Sequence, residues 1–171
     1  MFRVGHGFDV HRLLDKKKFA EKYPERSGHK LILAGVEIEH PKVLEGHSDA
    51  DVLTHAICDS LLGAAGLKDI GNQFPNTDPL LEGINSQILL AQVGELISNQ
   101  WKIENIDATV LAEKPKLAAH ILIMREQIAA TLKLDISQIN IKATTTEKLG
   151  FVGREEGIAA EVVSLLSSLH S

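Results

Sequence analysis

The segment from Ser48 to Gly66, SDADVLTHAICDSLLGAAG, constrains the fold of this chain more than any other. Ser48 or Asp49 is a natural N-cap, and Gly66 is a natural C-cap. Between these caps, one set of residues recurs at the three- and four-residue spacing of a helix face: Val52, Leu53, Ala56, Ile57, Ser60 and Leu61. The segment therefore predicts an amphipathic helix.

Strand patterns and helix patterns are mixed along the rest of the chain. Residues 2–10, FRVGHGFDV, alternate as a strand does, and LILAGVEIEHP predicts two short strands around Ala34-Gly35. A second helix is expected from near Ser86, a strand in IENIDATVLAE, a third helix in LAAHILIMREQIAATLKL and a strand in INIKATTTE. GIAAEVVSLLSSL fits either a helix or a strand. Because the opening segments resemble hairpins and not regular βαβ units, the pattern predicts an α+β fold.

Two segments predict loops. Residues from about 14 to 30, including LLDKKKFAEKYPERSGHK, are dense in charge and read as a solvated insertion with room for a helical turn. LKDIGNQFPNTDP reads as a turn-rich loop. With 171 residues and 44% hydrophobic content, residues 1–171 are expected to form a single domain around one core.

Composition excludes several classes of protein. No run of eighteen apolar residues predicts a membrane span, and the sequence after Met1 alternates at once, so we expect neither a leader peptide nor a membrane anchor. Cys58 is the only cysteine, which fits a reducing cytoplasm and excludes a CxxC metal site. The net charge of -5 argues against nucleic-acid binding. Any phosphate ligand must be held locally by metals, backbone amides or a few lysines.

The stretch HGFDVH concentrates potential metal ligands in the first predicted strand. Asp9 and His11 are two residues apart, so a strand places their side chains on the same face. His6 is at an odd offset from both and is expected on the opposite face as a structural neighbour. An isolated Asp-x-His motif is also compatible with the polar end of an ordinary strand.

The predicted helix adds a third candidate ligand, His55. Asp51 lies one turn before it and Asp59 one turn after it, so a carboxylate on that face could orient the imidazole. Together with Asp9 and His11, His55 would form a site of one carboxylate and two imidazoles with an open fourth position, which is typical of catalytic zinc. The alternative is that His55 merely borders the helix and that the two aspartates belong to its solvated face.

ATTTEKLGFVGREEG is a second candidate site. A threonine cluster at a strand end offers hydroxyls and amides to phosphate oxygens, and Gly150 and Gly153 permit a tight backbone. Glu147 could place a carboxylate on a second, harder cation such as magnesium. The alternative is a helix capping box, in which Glu147 reaches back to a threonine N-cap. The segment does not contain the P-loop pattern.

AEKPKL, residues 112–117, is a third candidate site. Lys114 and Lys116 flank Pro115 at a predicted strand end, where they could face a nucleotide base or a phosphate. The alternative is that they are solvated loop lysines without a function.

Four strings together resemble one family, the 2-C-methyl-D-erythritol 2,4-cyclodiphosphate synthases. They are HGFDVHR, GHSDADVLTHAICDSLLGAAGLKDIGNQFPNTDP, AEKPK and KATTTEKLGFVGREEGIA, and they occur in the family's order over nearly the whole chain. The resemblance implies a metal-dependent phosphorus-oxygen lyase of the non-mevalonate isoprenoid pathway. It also implies a mixed β-sheet with helices packed on one face, assembled as a homotrimer with active sites between subunits.

The resemblance also assigns roles to residues. It implies that Asp9, His11 and His55 bind one zinc ion per subunit, and that His47 and Thr145 stabilise the transition state. It implies that Glu147 binds a second divalent ion, magnesium or manganese, with the substrate diphosphate. The implied substrate contacts are Asp9, Val10, His11, His47, Ser48, Asp69, Ile70, Gly71, Phe74, Pro75, Asn76, Thr77, Asp78, Ala112, Glu113, Lys114, Pro115, Lys116, Leu117, Ala118, Thr144, Thr145, Thr146, Glu147, Phe151 and Arg154.

The implied reaction converts 4-diphosphocytidyl-2-C-methyl-D-erythritol 2-phosphate to the 2,4-cyclodiphosphate. The 2-phosphate attacks the β-phosphate and CMP leaves. Residues 112–118 would form the cytidine pocket, supplied by a neighbouring subunit. The resemblance further implies a central cavity, lined by Phe151, Arg154 and Glu156, that can hold an isoprenoid diphosphate.

The chain departs from the family pattern at four places. Asn76 and Ala50 stand where aspartate and glycine are usual, Glu155 stands where glycine is frequent, and the insertion at 14–30 is longer than usual. We expect the helix start to tolerate Ala50. Two other functions remain as alternatives. A zinc-dependent phosphohydrolase would use the same ligands to activate water. A non-catalytic nucleotide-binding or scaffolding trimer would bind cytidine nucleotides without consuming them, although the Asp-x-His motif and the helical histidine argue against it.

Overall fold

The computed structural model describes residues 1–75, 77–78 and 81–169. Within these ranges the strands are β1 (Phe2–Asp15), β2 (Leu31–Leu33), β3 (Val36–Ile38), β4 (Lys42–Glu45), β5 (Trp101–Leu111), β6 (Ile139–Thr144) and β7 (Gly157–Ser168). The helices are α1 (Lys16–Lys22), α2 (Val52–Ala65), α3 (Ile70–Gln73), α4 (Ser86–Ile97), α5 (Ile121–Leu132) and α6 (Gly150–Gly153). None of the described helices has the length and apolar composition needed to cross a bilayer.

Five strands form one mixed sheet, in the order β4-β1-β7-β5-β6. All neighbours are antiparallel except β5 and β6, which run parallel and are connected through α5. The ambiguous C-terminal segment is β7, at the centre of the sheet, because hydrogen bonding to both β1 and β5 requires extended backbone. β2 and β3 pair as a separate hairpin, as predicted. The predicted α+β class, with one mixed sheet, is confirmed.

The helices cover one face of the sheet. α2 packs across β1 and β7, α5 packs against β6, and α4 contacts both helices. Leu53, Ile57 and Leu61 of α2 are fully buried in the core between these layers. The opposite face leaves an exposed set of apolar side chains on β1 and β7: Phe2, Val4, Phe8, Val10 and Val163.

The predicted helix around His55 begins later than expected. Its N-cap is Asp51, whose carboxylate accepts from the backbone N–H of Thr54, and not Ser48 or Asp49. Its end at Gly66, in a left-handed conformation with φ 76°, is confirmed. Ala50 also has a left-handed φ of 59° and precedes the helix. Ala50 therefore lies before the helix and not in its first turn, and its conformation explains why glycine suits this position.

The segment expected as a charged loop at 14–30 is largely ordered secondary structure. β1 continues to Asp15, α1 follows, and a 3₁₀ turn spans Pro24–Arg26. The ring of Phe19 is only 1% exposed and stacks against His29, with ring centroids 4.9 Å apart. This aromatic contact orders the insertion internally, and α1 in turn packs against β1 and β4.

Candidate functional site

Two glycines in β1 allow α2 to approach the sheet closely enough to complete the site. A Cβ at Gly7 would lie 1.9 Å from the carbonyl oxygen of Ala56, and a Cβ at Gly5 would lie 1.8 Å from that of Ser60. No side chain fits at these distances, so only glycine permits this contact. Since His55 precedes Ala56 and Asp9 follows Gly7 on the same face of β1, the close approach brings His55 to Asp9 and His11.

The three predicted ligands converge on one point. Oδ2 of Asp9 lies 3.1 Å from Nε2 of His11 and 3.1 Å from Nδ1 of His55. These two nitrogens are 3.0 Å apart. Zinc with bonds of about 2.0–2.1 Å in tetrahedral geometry would separate its ligand atoms by roughly 3.3–3.4 Å, so the donor set fits a small divalent cation within a few tenths of an ångström. Among the described residues, these three form the one group of His, Cys, Asp and Glu arranged to hold a metal.

The hydrogen bonds of the two imidazoles indicate which nitrogens are free to bind a metal. Nδ1 of His11 donates to the carbonyl oxygen of Glu45 at 2.9 Å, which leaves a lone pair on Nε2. The hydroxyl of Ser86 donates to Asp49 at 2.5 Å and is therefore an acceptor for Nε2–H of His55, at 2.9 Å. Nδ1 of His55 then also carries a lone pair. With the carboxylate, three lone pairs face one another at close range, an arrangement that a bound cation stabilises.

The carboxylate that orients His55 is not one of those predicted. Asp51 is fully buried and accepts from the backbone N–H groups of Ala34 and Gly35 as well as from Thr54, so it ties the β2–β3 hairpin to α2. Asp59 accepts from the N–H of Ile70 and fixes the start of α3. The prediction that Asp51 or Asp59 orients the imidazole is therefore wrong.

Asp49 acts on His55 through Ser86 instead. Both the hydroxyl and the backbone N–H of Ser86 donate to the Asp49 carboxylate, and both of these residues are buried. Sequence reasoning considered Asp49 only as an N-cap and missed Ser86. The one local signal for Ser86 was its place at a helix start, which does not reveal its contact with His55, 31 residues away.

The electrostatics of the triad favour an ionised Asp9. Burial raises the pKa of the Asp9 carboxyl, but the hydrogen bonds and positive charge that the His11 and His55 imidazoles provide when they carry a proton in place of a metal outweigh burial and hold that pKa well below its usual range. Burial lowers the pKa of His55, but the Asp9 carboxylate, together with the charges of Asp51 and Asp49, more than reverses that effect and raises it. A proton on His55 and a cation would compete for the same lone pair, so metal binding must displace that proton.

A cavity of about 370 Å³ opens beside the triad. Its lining contains the predicted ligand His55 and six of the predicted substrate contacts: His11, His47, Ser48, Ile70, Gly71 and Phe74. It also contains the apolar residues Leu81, Ile84 and Leu89, which sequence reasoning missed. Asp69 is the N-cap of α3, and its carboxylate accepts a hydrogen bond from the backbone N–H of Asn72. The side chain of Val10 is exposed on the other face of the sheet, while Pro75, Thr77 and Asp78 follow α3 outside the lining. Asn76 lies outside the described residues.

The threonine turn folds without the capping box considered as an alternative. α6 has Leu149 as its N-cap, with no side-chain cap bond, so Glu147 does not cap a helix. Glu147 and Lys148 are both left-handed, with φ of 52° and 64°. The carboxylate of Glu113 accepts from the N–H of Thr146 at 3.0 Å and of Lys148 at 3.1 Å, which holds this unusual turn. The exposed Glu147 carboxylate accepts from the hydroxyl of Thr145 at 2.9 Å.

A second cavity, of about 270 Å³, joins the threonine turn to the lysine loop. It is lined by Ala112, Pro115, Lys116, Leu117, Ala118, Ile121, Ala143, Thr144 and Thr145.

Lys114 is turned towards Glu155 and not into this cavity, with 3.4 Å between their charged atoms. Glu155 has a left-handed φ of 54°, which explains why glycine suits this position too. Nearby, Arg154 donates two hydrogen bonds to Glu156, and Phe151 is partly exposed.

The two cavities share no lining residue. Asp9, Ala160, Val110 and Ala143 are successive partners across the sheet. Three strand spacings, roughly 14 Å, therefore separate β1 from β6 at the level of the triad. Within one chain, β1, β7 and β5 lie between β4, which precedes His47, and β6, which precedes Thr145.

The fold and the site together define a class: an α+β domain with a candidate metal site of one carboxylate and two imidazoles beside a cavity of small-molecule size. The chain belongs to the YgbB family, whose model matches residues 2–167. It is 57% identical over 166 residues, 96% of this chain and 95% of the relative, to a Porphyromonas gingivalis protein named 2-C-methyl-D-erythritol 2,4-cyclodiphosphate synthase. A protein of the same name from Chlorobium phaeobacteroides is 55% identical over 165 residues, 96% of each chain.

Solved structures have the same fold. The bifunctional IspDF from Campylobacter jejuni matches with a TM-score of 0.88 and 43% identity, covering 99% of this chain and 43% of that longer one. IspF of Plasmodium falciparum, described as a CDP complex, matches with a TM-score of 0.80 and 33% identity over 98% of this chain and 96% of its own. These matches agree with the family that the four sequence strings predicted.

Proposed function

We propose that this chain converts 4-diphosphocytidyl-2-C-methyl-D-erythritol 2-phosphate to 2-C-methyl-D-erythritol 2,4-cyclodiphosphate and CMP, in the non-mevalonate isoprenoid pathway. One observation carries the proposal: the lone pairs of Asp9, His11 and His55 converge at the wall of the cavity that also contains His47 and Ser48. The names of the relatives and the CDP bound to a structural neighbour support the substrate class.

Asp9, His11 and His55 would hold zinc, because one carboxylate and two imidazoles suit that ion and leave a coordination position open. Bound there, the ion supplies Lewis acidity to a phosphate oxygen. The protein's own part is to keep the three ligands unprotonated and aligned. Glu45 accepts a hydrogen bond from His11, and Ser86 accepts one from His55, so both imidazoles are held in the required tautomer.

The reaction needs positioning more than it needs a base. An oxygen of the substrate's 2-phosphate forms a bond to the β-phosphorus while the bond from that phosphorus to the α–β bridging oxygen breaks, and CMP leaves with the electron pair. The nucleophile is already ionised at neutral pH, so no proton must be removed. His47 and Thr145 would donate hydrogen bonds to the transferring phosphoryl group as its charge shifts. The apolar wall of Ile70, Phe74 and Leu81 would hold the methylerythritol carbons.

The second cavity is the proposed cytidine pocket. Ala112, Leu117 and Ala118 offer it an apolar surface, and Lys116 offers a cation. Glu147 would hold magnesium or manganese, which prefers carboxylate and phosphate oxygens. Glu113 does not need to touch the substrate: its two backbone hydrogen bonds keep Thr145 and Glu147 at the edge of this pocket.

We further propose a homotrimer with active sites between subunits. The open face of the sheet exposes a row of apolar side chains, including Phe8 and Val10, which a monomer would leave in water. The proposed transition-state residues His47 and Thr145 line different cavities of one chain. Assembly would bring the first cavity of one subunit to the second cavity of another. The trimer axis, near Phe151 and Arg154, is where an isoprenoid diphosphate would bind.

A phosphorus NMR time course with the cytidylyl substrate, with and without a chelator, tests the proposal. CMP and a cyclic diphosphate, formed only without chelator, are the expected products. Orthophosphate or an open-chain product would point instead to a zinc-dependent phosphohydrolase using the same ligands. Binding of the nucleotide without any consumption would identify a non-catalytic nucleotide-binding trimer.

A further inference from the structure

Arg26, near the end of the insertion, donates two hydrogen bonds to the backbone of the segment that carries His47. Its Nη1 donates to the carbonyl oxygen of Gly46 at 2.9 Å, and its Nη2 donates to that of Ser48 at 2.5 Å. The guanidinium is half-buried and lies 5.5 Å from the ring centre of Phe19, within cation–π range. The guanidinium of Arg26 thus donates to the peptide group before His47, Gly46–His47, and to the one after Ser48, Ser48–Asp49, in a fixed fork geometry.

The segment from Glu45 to Ser48 also supports the metal ligands. The carbonyl oxygen of Glu45 accepts from His11, and the hydroxyl of Ser48 lies 3.0 Å from Nε2 of His55. A second contact from the insertion reaches the same segment, because the hydroxyl of Tyr23 donates to the Glu45 carboxylate at 2.8 Å. The insertion therefore packs against the backbone at the edge of the first cavity, the one beside Asp9, His11 and His55.

The hydrogen bond described for His47 is made by its backbone and not by its side chain. Its side chain is exposed at the cavity, and its carbonyl oxygen accepts from the N–H of Gly83 at 2.8 Å. The direction of its side chain therefore depends on the peptide groups on either side. A trans peptide keeps its C=O and N–H antiparallel, so fixing the Gly46 carbonyl also fixes the His47 N–H. Two hydrogen bonds from one rigid guanidinium leave these peptides little freedom to rotate.

We propose that Arg26 is a positioning residue for the proposed reaction: by holding the carbonyls of Gly46 and Ser48, it aligns His47 with the transferring phosphoryl group. This rests on the proposed function for the role of His47. The role of the insertion would then be to hold the backbone at 46–48 from outside the sheet. Arg26 does not touch the substrate and acts only through that backbone.

Arg26→Ala is the test variant. We expect kcat per metal-loaded subunit to fall about 10- to 100-fold, the loss that a displacement of about 1 Å can cause, while KM changes less than about threefold. Hydrogen exchange should accelerate at the amides of Asp49 and Gly83, whose hydrogen bonds depend on this backbone. Guanidinium, at concentrations far below those that unfold the protein, should restore part of kcat in Arg26→Ala alone.

Arg125→Ala is the matched control. Arg125 is also half-buried and also donates to two backbone carbonyls, those of Ile139 and Ile136, but it lies on α5 outside both cavities. The Arg125→Ala variant should lower thermal stability as much as Arg26→Ala does and leave kcat per metal-loaded subunit unchanged. In a His47→Ala background, adding Arg26→Ala should lower kcat by less than about twofold, because the two residues act as one unit.

Three results would overturn the proposal: unchanged exchange at Asp49 and Gly83, an equal loss of kcat in Arg125→Ala, or full additivity with His47→Ala. If the unmodified protein does not consume the cytidylyl substrate, the proposed function fails and the alignment of His47 for that reaction fails with it. The exchange measurement separates the two cases, because accelerated exchange in Arg26→Ala would still establish the anchor itself.

Discussion

Replacing Gly7 with alanine should dismantle the metal site without changing any ligand. The new Cβ would lie 1.9 Å from the carbonyl oxygen of Ala56 and 2.8 Å from the backbone nitrogen of Ser60. An ordinary contact needs about 3.4 Å, so α2 must move away from β1 by roughly 1.5 Å. The obstructing atoms are helix backbone, which cannot turn aside as a flexible side chain can.

The same displacement acts on His55, the residue before Ala56. Its Nδ1 now lies 3.1 Å from Oδ2 of Asp9, and a shift of about 1.5 Å would exceed several-fold the roughly 0.2 Å that metal–ligand distances tolerate. Overpacking of this kind costs about 1–3 kcal/mol, and a clash with backbone belongs at the upper end. For a chain of this size, that cost would lower Tm by roughly 6–12 °C.

Elemental analysis and thermal unfolding of purified Gly7→Ala measure both effects. Gly63→Ala is the control, because Gly63 lies on the same helix and the nearest atom to its Cβ, the carbonyl oxygen of His6, is 3.9 Å away. That variant should keep its metal and gain up to about 1 kcal/mol, as alanine favours a helix over glycine. Stoichiometric metal and an unchanged Tm in Gly7→Ala would refute the claim that glycine sets the distance between β1 and α2.

Three further substitutions probe the site. His55→Ala should lose zinc and nearly all turnover, because it removes one of three ligands; elemental analysis that finds one zinc per subunit would contradict the assignment. Thr145→Ala should lower kcat more than it raises KM in steady-state kinetics, since its hydrogen bond is proposed to strengthen in the transition state; the reverse pattern would indicate uniform substrate binding. Ser86→Ala should weaken metal affinity about 10- to 100-fold and cost about 1–3 kcal/mol in urea unfolding, because it leaves the buried Asp49 carboxylate without its hydroxyl donor. If Ser86→Ala changed neither the metal affinity nor the free energy of unfolding, Asp49 would not orient His55.

Local patterns predicted most of the elements and failed at their edges. The second helix from Ser86, strand β5, strand β6 and the Ala34-Gly35 hairpin all lie where the pattern predicted. β4 was missed, because four residues offer too little periodicity to distinguish a strand from a loop. α5 begins at Ile121 and not near Leu117, since a turn precedes it.

The charged insertion was harder to predict for a different reason. Its lysines and glutamates predicted a solvated loop, yet Phe19 is buried and organises α1 and the following turn around its ring. One aromatic residue in a charged segment is a weak signal. Its effect depends on a surface, formed by β4 and the following loop, that is remote in sequence.

The sequence by itself determined that Asp9 and His11 share a face, that His6 does not, and that His55 lies on a helix. These follow from the two-residue period of a strand and the spacing of a helix, which are local properties. Only the tertiary structure decided that His55 reaches Asp9 and His11, and that Asp49 acts on His55 through Ser86. The first depends on how closely α2 approaches β1 at Gly7, and the second on how α4 packs against α2. Both are packing distances between elements remote in sequence, which no local periodicity encodes.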